Sequence, residues 1–511
     1  MAFVTLLVQL VQELHFATLL KPVPLSLLLL FLLILFKFIK GGNHNLPPCP
    51  PKLPIIGNLH QLGNLPHRSL RALSKKYGPL MLIHWGQTPT VIVSSADMAK
   101  EMMKTHDIIF SNRPKTTAAD IFLYGCIDIA FSPYGEYWRE IRRIGVHELL
   151  SPQRVQYFQF VRDEETADMI NKLRRASLKG ASVNLSEMLL TVTNDTVGRC
   201  VFGKKANEES KFGTISRRLT TQLQAFSFGD VFPALGWMDH LTGLIPCVKA
   251  TFRSLDAFFD DVIAEHRNLE RPDDKSVAKD FVDILLQVQK DATTKHELSQ
   301  ENLKAILLDM FVGGTDSTST TMEWAMAELV KHPSTMKKAQ EEVRRVVGKK
   351  LKVEASDINQ MEYLKCVIKE SLRLHAPAPL LVHRETSSSV KMGGYEIPAK
   401  TRVFANAWAI QRDPKLWDNP EEFIPERFYN NPVNFMGEDF HYIPFGAGRR
   451  GCPGTLFGVT SAEGVVANLL YWFDWKLPGD TVGEDLDMTE TFGLTVFKKI
   501  PLYLVPVMYS A

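Results

Sequence analysis

The sequence predicts a mainly α protein with a small β portion, and three observations predict it. Apolar residues recur at helical spacing through most of the chain beyond about Leu59. Two stretches, Leu80–Ser94 and Ser387–Phe404, instead carry the β-branched residues and turn signals of short strands. No second linker and no internal repeat follows Leu59, so helices and minor sheet belong to one large domain. The charge balance of the 511 residues is near neutral, Lys+Arg 59 against Asp+Glu 57, which argues against a dedicated nucleic-acid binder. Six cysteines (49, 126, 200, 247, 366 and 452) are scattered without a CxxC pair or zinc-like spacing. They read as free thiols in a reducing compartment rather than as a disulfide framework.

In chain order, residues 1–22 form a short N-terminal segment on the lumenal side, and 23–40 a transmembrane anchor. Val23 to Phe36 is apolar but for one proline and one serine. A span needs about 20 residues, so Phe16–Leu20 lengthens it while Lys21 and Lys37 snorkel to the interfaces. A cleaved signal peptide is the alternative. Against it, the charge follows the apolar run and no small-x-small site is present. Lys37, Lys40 and Lys52 place the rest of the chain on the cytosolic side. Residues 41–58 are a proline-rich hinge, extended and stiff because each proline fixes its own φ and restricts its predecessor. Residues 59–511 are the main domain. Within it, MLIHWG and TVIVS read as hairpin arms around Gln87-Thr88-Pro89. A long helix starts near Leu298, with Ser299 or a neighbour as cap, and runs to Lys331 before His332-Pro333. At 1.5 Å per residue it is on the order of 50 Å long, enough to cross a domain.

The chemistry concentrates in Pro444-Phe445-Gly446-Ala447-Gly448-Arg449-Arg450-Gly451-Cys452-Pro453-Gly454. Its glycines allow tight turns and close backbone approach to a flat or charged group. Peptide N–H donors, with a bound metal, stabilise a thiolate at Cys452, and the arginines suit carboxylates. The bland reading is a surface turn with a passive cysteine. The string resembles the cysteine-ligand loop of cytochrome P-450 enzymes, F-x-x-G-x-R-x-C-x-G, matching at Phe445, Gly448, Arg450, Cys452 and Gly454. The resemblance implies the cytochrome P-450 fold, a haem b cofactor and Cys452 as the axial ligand of its iron.

Further segments match the family in its order. Phe311-Val312-Gly313-Gly314-Thr315-Asp316-Ser317-Thr318 interrupts a strong helix with poor helix formers. It resembles the oxygen-activation segment, A/G-G-x-D/E-T, which implies proton-handling roles for Asp316 and Ser317, with Thr318 next to them. Serine stands where the family usually has threonine and lacks the methyl that restricts the rotamer. A kinked structural helix is the bland alternative. Trp138 and Arg142 match W-x-x-x-R and lie one helical turn apart; the resemblance gives them, with Arg450 and Arg384, to the haem propionates. Glu370 and Arg373 (E-x-x-R), usually just a surface ion pair, are joined by Arg427 of P-E-R-F. The resemblance implies a buried charge triad bracing the cysteine loop, a structural role. His383 and His375 read as pocket-wall and structural histidines, not ligands. The order and details of these motifs look most like the plant microsomal A-type members, the 71 clan.

The implied activity is a monooxygenase that inserts one oxygen atom from O2 into a small hydrophobic molecule, a plant specialised metabolite. NADPH is the indirect electron donor, through NADPH-cytochrome P-450 reductase or additionally cytochrome b5, at the endoplasmic reticulum membrane. An exposed basic patch including Arg139, Arg143 and Arg449 suits an acidic partner. By family position the pocket walls fall in Thr116–Cys126, Leu223–Phe232, Phe311–Gly313, Ala378–Val382 and Phe492–Leu494. Terpenoids, phenylpropanoids, coumarins, alkaloids and amino-acid-derived oximes all fit an apolar pocket. A haem–thiolate isomerase or dehydratase is disfavoured by the Asp316-Ser317 pair. A non-catalytic haem scaffold is disfavoured by the intact oxygen segment, and a receptor or transporter by the single apolar span.

Overall fold

A computed structural model describes residues 45–206, 211–268, 279–291, 296–479 and 482–509, with Ser26 and Leu28. Apart from those two residues, segments 1–22 and 23–40 and the start of the 41–58 hinge lie outside the described residues. Among the described residues no helix is long and apolar enough to cross a membrane. The chain divides into two units, Met1–Leu46 and Pro47–Ala511, and the second holds the fold.

Its axis is the helix Gln300–Lys331, 32 residues long. Ser299 caps it in a reciprocal box: the serine side chain accepts from the Asn302 N–H at 3.2 Å, and the Asn302 side chain accepts from the Ser299 N–H at 2.8 Å. His332 ends it, and Pro333 opens the next helix, Pro333–Val347, where its missing N–H costs nothing. Leu303, Ile306 and Leu307 in its first half and Trp324, Ala325, Met326 and Leu329 in its second are all buried. A helix apolar around its circumference belongs in a core. It serves two of them. Its first half packs into an aromatic-rich cluster with Phe202, Phe212, Phe258, Phe259 and Phe311. Its second half packs with helices Glu362–Leu374 and Thr455–Trp472. Burial lapses between the halves, at Val312–Gly314 and Asp316–Ser317.

The main sheet orders Leu80–Trp85, Thr88–Val93, Arg402–Ala405 and Arg384–Glu385 side by side. The first two are antiparallel, with Trp85 opposite Thr88, and the second and third are parallel from Thr90 onward. The hairpin turn is therefore at Gly86-Gln87, earlier in the chain than the expected Gln87-Thr88-Pro89. Gly86 takes φ +64°, and a Cβ there would stand 2.4 Å from Val231, so glycine is required. Pro89 sits in the strand just before parallel pairing begins, where its missing donor is harmless. The 387–404 region forms a small hairpin, Val390–Met392 with Tyr395–Ile397, and then the Arg402–Ala405 strand.

Candidate haem–thiolate site

The cysteine loop folds back on itself where the Cys452 N–H donates to the Phe445 carbonyl at 2.9 Å. The Phe445 ring rests edge-on against Phe435, 5.8 Å between centroids. Gly448 holds φ +69°, and a Cβ there would stand 2.4 Å from the Met103 carbonyl oxygen and 2.7 Å from Asp107, so the loop tolerates no side chain at this point. Cys452 is exposed yet surrounded by protein. Together these describe a thiol facing an internal hollow. Burial raises its pKa; the Gly454 N–H, the Arg142 charge and Thr455 pull against that. The peptide donors alone are outweighed by burial, so a cation at this sulfur would be needed to hold it as a thiolate.

Four guanidinium groups gather at the loop. Arg142, on helix Glu136–Ile144, donates to the Gly451 carbonyl. Arg450 donates to the carbonyls of Ser111 (2.7 Å), Ile129 (3.1 Å) and Ser132, with its guanidinium 4.1 Å from the centre of the Trp138 ring. Trp138 donates its indole N–H to the same Ile129 carbonyl at 2.9 Å. Arg384 donates to the Ala447 carbonyl at 2.7 Å and lies 3.4 Å from Asp107. The fourth, Arg113, escaped sequence reasoning. It donates to the carbonyls of Ala130 (3.0 Å), Val382 and His383. Burial, then the charges of Arg450 and Arg384, drive its pKa well below the usual arginine value. Burial brings Arg450 down to about 9 and Arg384 to about 10. Buried cations that repel one another are short of negative charge. Asp107, also unmarked in the sequence, answers part of the deficit by holding Arg384 and, at 2.8 Å, Arg449. The remainder suits the two carboxylates of a haem beside the cysteine thiolate. No spacing marks Arg113 or Asp107; only the tertiary fold brings them in.

On the long helix, Ser317 Oγ donates to the Gly313 carbonyl at 2.7 Å, and a Cβ on Gly313 would meet nothing within 4 Å. Hydroxyl and glycine together open the helix wall towards free space. Burial pushes the Asp316 carboxyl up to about 6. Thr318 points elsewhere: it is buried, with Oγ1 3.5 Å from where a Cβ on Gly458 of helix Thr455–Trp472 would stand. The structure thus separates Thr318 from the flank where the Ser317 hydroxyl opens the helix. Phe311 likewise lies in the aromatic core. His383 is half-buried, and desolvation, then the charges of Arg402 and Arg113, push it down to about 3, so it stays neutral. His375 stacks on Trp324 at 4.1 Å and donates its Nε2–H to the Glu328 carboxylate at 2.6 Å.

Glu370, Arg373 and Arg427 meet in the interior. Arg373 grips Glu370 through two bonds of 2.7 and 2.9 Å, and Arg427 Nε lies 3.0 Å from the same carboxylate. Segments Thr116–Cys126 and Leu223–Phe232 are joined by the Thr117–Ser227 hydroxyl pair at 2.9 Å. Gly493 lies against Gln224, bringing Phe492–Leu494 to the same place.

A thiol in a hollow, an arginine cluster short of counter-charge and an acid–alcohol helix segment define a haem–thiolate protein. The cytochrome P450 family model matches residues 47–505. A phenylacetaldehyde oxime monooxygenase from Prunus mume is 57% identical over 477 residues, 92% of this chain and 90% of that protein. Cytochrome P450 71A1 from Persea americana is 56% identical, covering 88% and 91%. Desmethylyatein synthase from Sinopodophyllum hexandrum is 51% identical, covering 95% and 99%. A zebrafish cytochrome P450 solved with progesterone superposes with TM-score 0.75 at 25% identity, over 86% of this chain and 99% of that one. The chain belongs to the cytochrome P450 family, as a monooxygenase whose relatives serve plant specialised metabolism.

Proposed function

We propose that this protein inserts one oxygen atom from O2 into a small hydrophobic, aromatic plant metabolite, with electrons from NADPH delivered by NADPH-cytochrome P-450 reductase, cytochrome b5 being a second donor. The observation that carries the reading is the Cys452 thiol facing a hollow beside four arginines. Bound there, haem supplies the oxygen-activating chemistry, its iron made electron-rich by the cysteine sulfur. Arg113, Arg142, Arg384 and Arg450 would hold and neutralise its carboxylates. Gly313 and Ser317 open the helix so that the serine hydroxyl can turn from its own carbonyl to a water or substrate. Asp316 moves protons to that hydroxyl, and a pKa of about 6 suits a group that must give and regain a proton near neutrality. The relative named for phenylacetaldehyde oxime makes an aromatic aldoxime the first substrate to assay.

For location, the reading is a single-pass anchor over residues 23–40 in the endoplasmic reticulum membrane, with the catalytic domain facing the cytosol. Ile55, Trp237 and Leu241 expose large apolar side chains, which supports a domain resting against lipid. Arg139 and Arg143 are exposed for an acidic reductase. The test is to express the chain with a plant reductase and record the reduced carbon monoxide difference spectrum and NADPH-dependent oxygenation of aromatic oximes. Folded protein without a red-shifted Soret band would sink the haem–thiolate reading. A band without turnover of any aromatic substrate would sink the substrate class alone.

Asp316→Asn is expected to divide stability from coupling. Ionising a carboxyl at pH 7 whose folded pKa is about 6, against 3.8 ordinarily, costs the fold about 3 kcal/mol. The raised pKa means stability is full below the ordinary value and declines as pH rises towards 6. The asparagine variant should therefore melt higher at pH 7, lose that pH dependence, and divert more NADPH into peroxide. Ser317→Ala should share only the last effect. Equal coupling in both variants and the wild type would refute the proton roles.

A further inference from the structure

A second pair of acids lies outside these motifs. Asp309, on the long helix one turn before Gly313, accepts from the backbone N–H of Ile129 at 2.6 Å and of Ala130 at 3.2 Å. Asp128 accepts from Ala130 at 2.9 Å and Phe131 at 2.8 Å. One N–H, that of Ala130, thus lies within reach of an oxygen from each carboxyl, and the remaining Asp128 oxygen, Oδ1, is buried without a partner among the described residues. Asp128 is fully buried and Asp309 is half-buried. Two carboxylates this close, one of them cut off from water, repel one another strongly enough to disfavour ionisation of both.

The peptides they hold are the ones that aim the arginines. Ile129 gives its carbonyl to Trp138 and Arg450, Ala130 gives its carbonyl to Arg113, and Ser132 gives its own to Arg450. By accepting from the Ala130 and Phe131 N–H groups the acids polarise the two peptides whose carbonyls, those of Ile129 and Ala130, grip Trp138, Arg450 and Arg113. We propose that Asp128 and Asp309 share a single proton and, in that state, act as positioning residues. They fix segment 129–132 so that Arg113 and Arg450 stand ready for the haem carboxylates, with Trp138 tied to Ile129 beneath the Arg450 guanidinium. The proton sits on Asp309 and is donated to Asp128, whose other oxygen is occupied by two N–H groups. Charged and titratable groups facing the pair are Arg113 and Arg450 and, from the chain beside Asp128, Cys126 and Tyr137. Burial and then the Asp128 charge hold Asp309 well above the carboxylate range. Folded protein keeps the proton that unfolded chain releases, so the contribution is full in acid and fades as pH rises towards the raised Asp309 value.

The inference rests on haem being held at Cys452 and not on any choice of substrate. The experiment measures haem release from resting ferric holoenzyme to an excess of apo-acceptor, across pH, for wild type, Asp309→Asn and Asp309→Leu. Asparagine reproduces the protonated acid: its amide donates to Asp128 and its oxygen accepts from Ile129 and Ala130. Wild type is expected to release haem faster as pH rises, while Asp309→Asn stays slow and pH-independent. Asp309→Leu should release about tenfold faster at every pH, because the Ile129 N–H loses its acceptor while Ala130 keeps only Asp128. An Asn profile that rises with pH like wild type, or Asn release as fast as Leu, would overturn the proposal. Should the leucine variant not fold, the wild-type and asparagine profiles still decide. Wild type that never shows thiolate-ligated haem is a failure of the haem reading instead, and the starting spectrum distinguishes the two.

Discussion

Cys452→Ser is expected to yield a folded protein that has lost the red-shifted carbon monoxide band and all reductase-supported oxygenation. The fold survives because the backbone carries the loop: the residue-452 N–H still donates to the Phe445 carbonyl, and Gly448 still turns against Met103. Replacing sulfur with oxygen in a hollow removes little packing, so the stability change stays within about 1 kcal/mol. The guanidinium cluster is untouched, and some haem should remain bound by its carboxylates. What vanishes is electron donation from the thiolate, which serine cannot supply because its hydroxyl is far less acidic. The measurements are the difference spectrum, haem content and NADPH-dependent product formation on the same preparation. A serine variant that kept the red-shifted band would place the iron ligand somewhere other than Cys452.

Much of this site was legible because its chemistry is local. The cysteine loop, the Gly313–Ser317 interruption and the Ser299 cap each fit within a few residues, and a short stretch of sequence therefore carries them. The main helix and the two strand regions were legible for the same reason. The turn at Gly86 was misplaced because Pro89 is a strong turn signal in isolation; its tolerance within the strand depends on where pairing with Arg402–Ala405 starts, a tertiary fact. Arg113, Asp107, Asp128 and Asp309 were silent because each matters only through partners distant in sequence. Arg113 reaches Val382 across 269 residues, and Asp309 reaches Ile129 across 180. Thr318 shows the converse. Adjacent to Ser317 in sequence, it is carried a third of a turn around the helix and packs against Gly458.

Arg373→Lys should be nearly as damaging as Arg373→Ala, and that equality is the informative result. Arg373 is completely buried and spends its donors on five acceptors: both Glu370 oxygens and the carbonyls of Gln411, Pro420 and Glu422. Lysine keeps the charge but offers three donors from one point and cannot reproduce the planar fork. Either change leaves Glu370 partly unpaired in the interior, at a cost of about 3–5 kcal/mol. That is a large share of the roughly 5–15 kcal/mol that holds a domain together. The damage also reaches the iron ligand. Gln411, whose carbonyl Arg373 holds, accepts at its side-chain oxygen from the Ile443 N–H at 3.0 Å, next to the first residue of the cysteine loop. Loss of the fork therefore frees the loop as well as the core. Arg427→Ala, at the more open edge of the same cluster, should cost only about 1 kcal/mol and leave haem loading near normal. Yield of folded holoprotein, thermal unfolding and the position of the carbon monoxide band measure all three variants. Wild-type loading in Arg373→Lys would show that charge alone suffices there, and that the chain of contacts from Arg373 through Gln411 to Ile443 does not position Cys452.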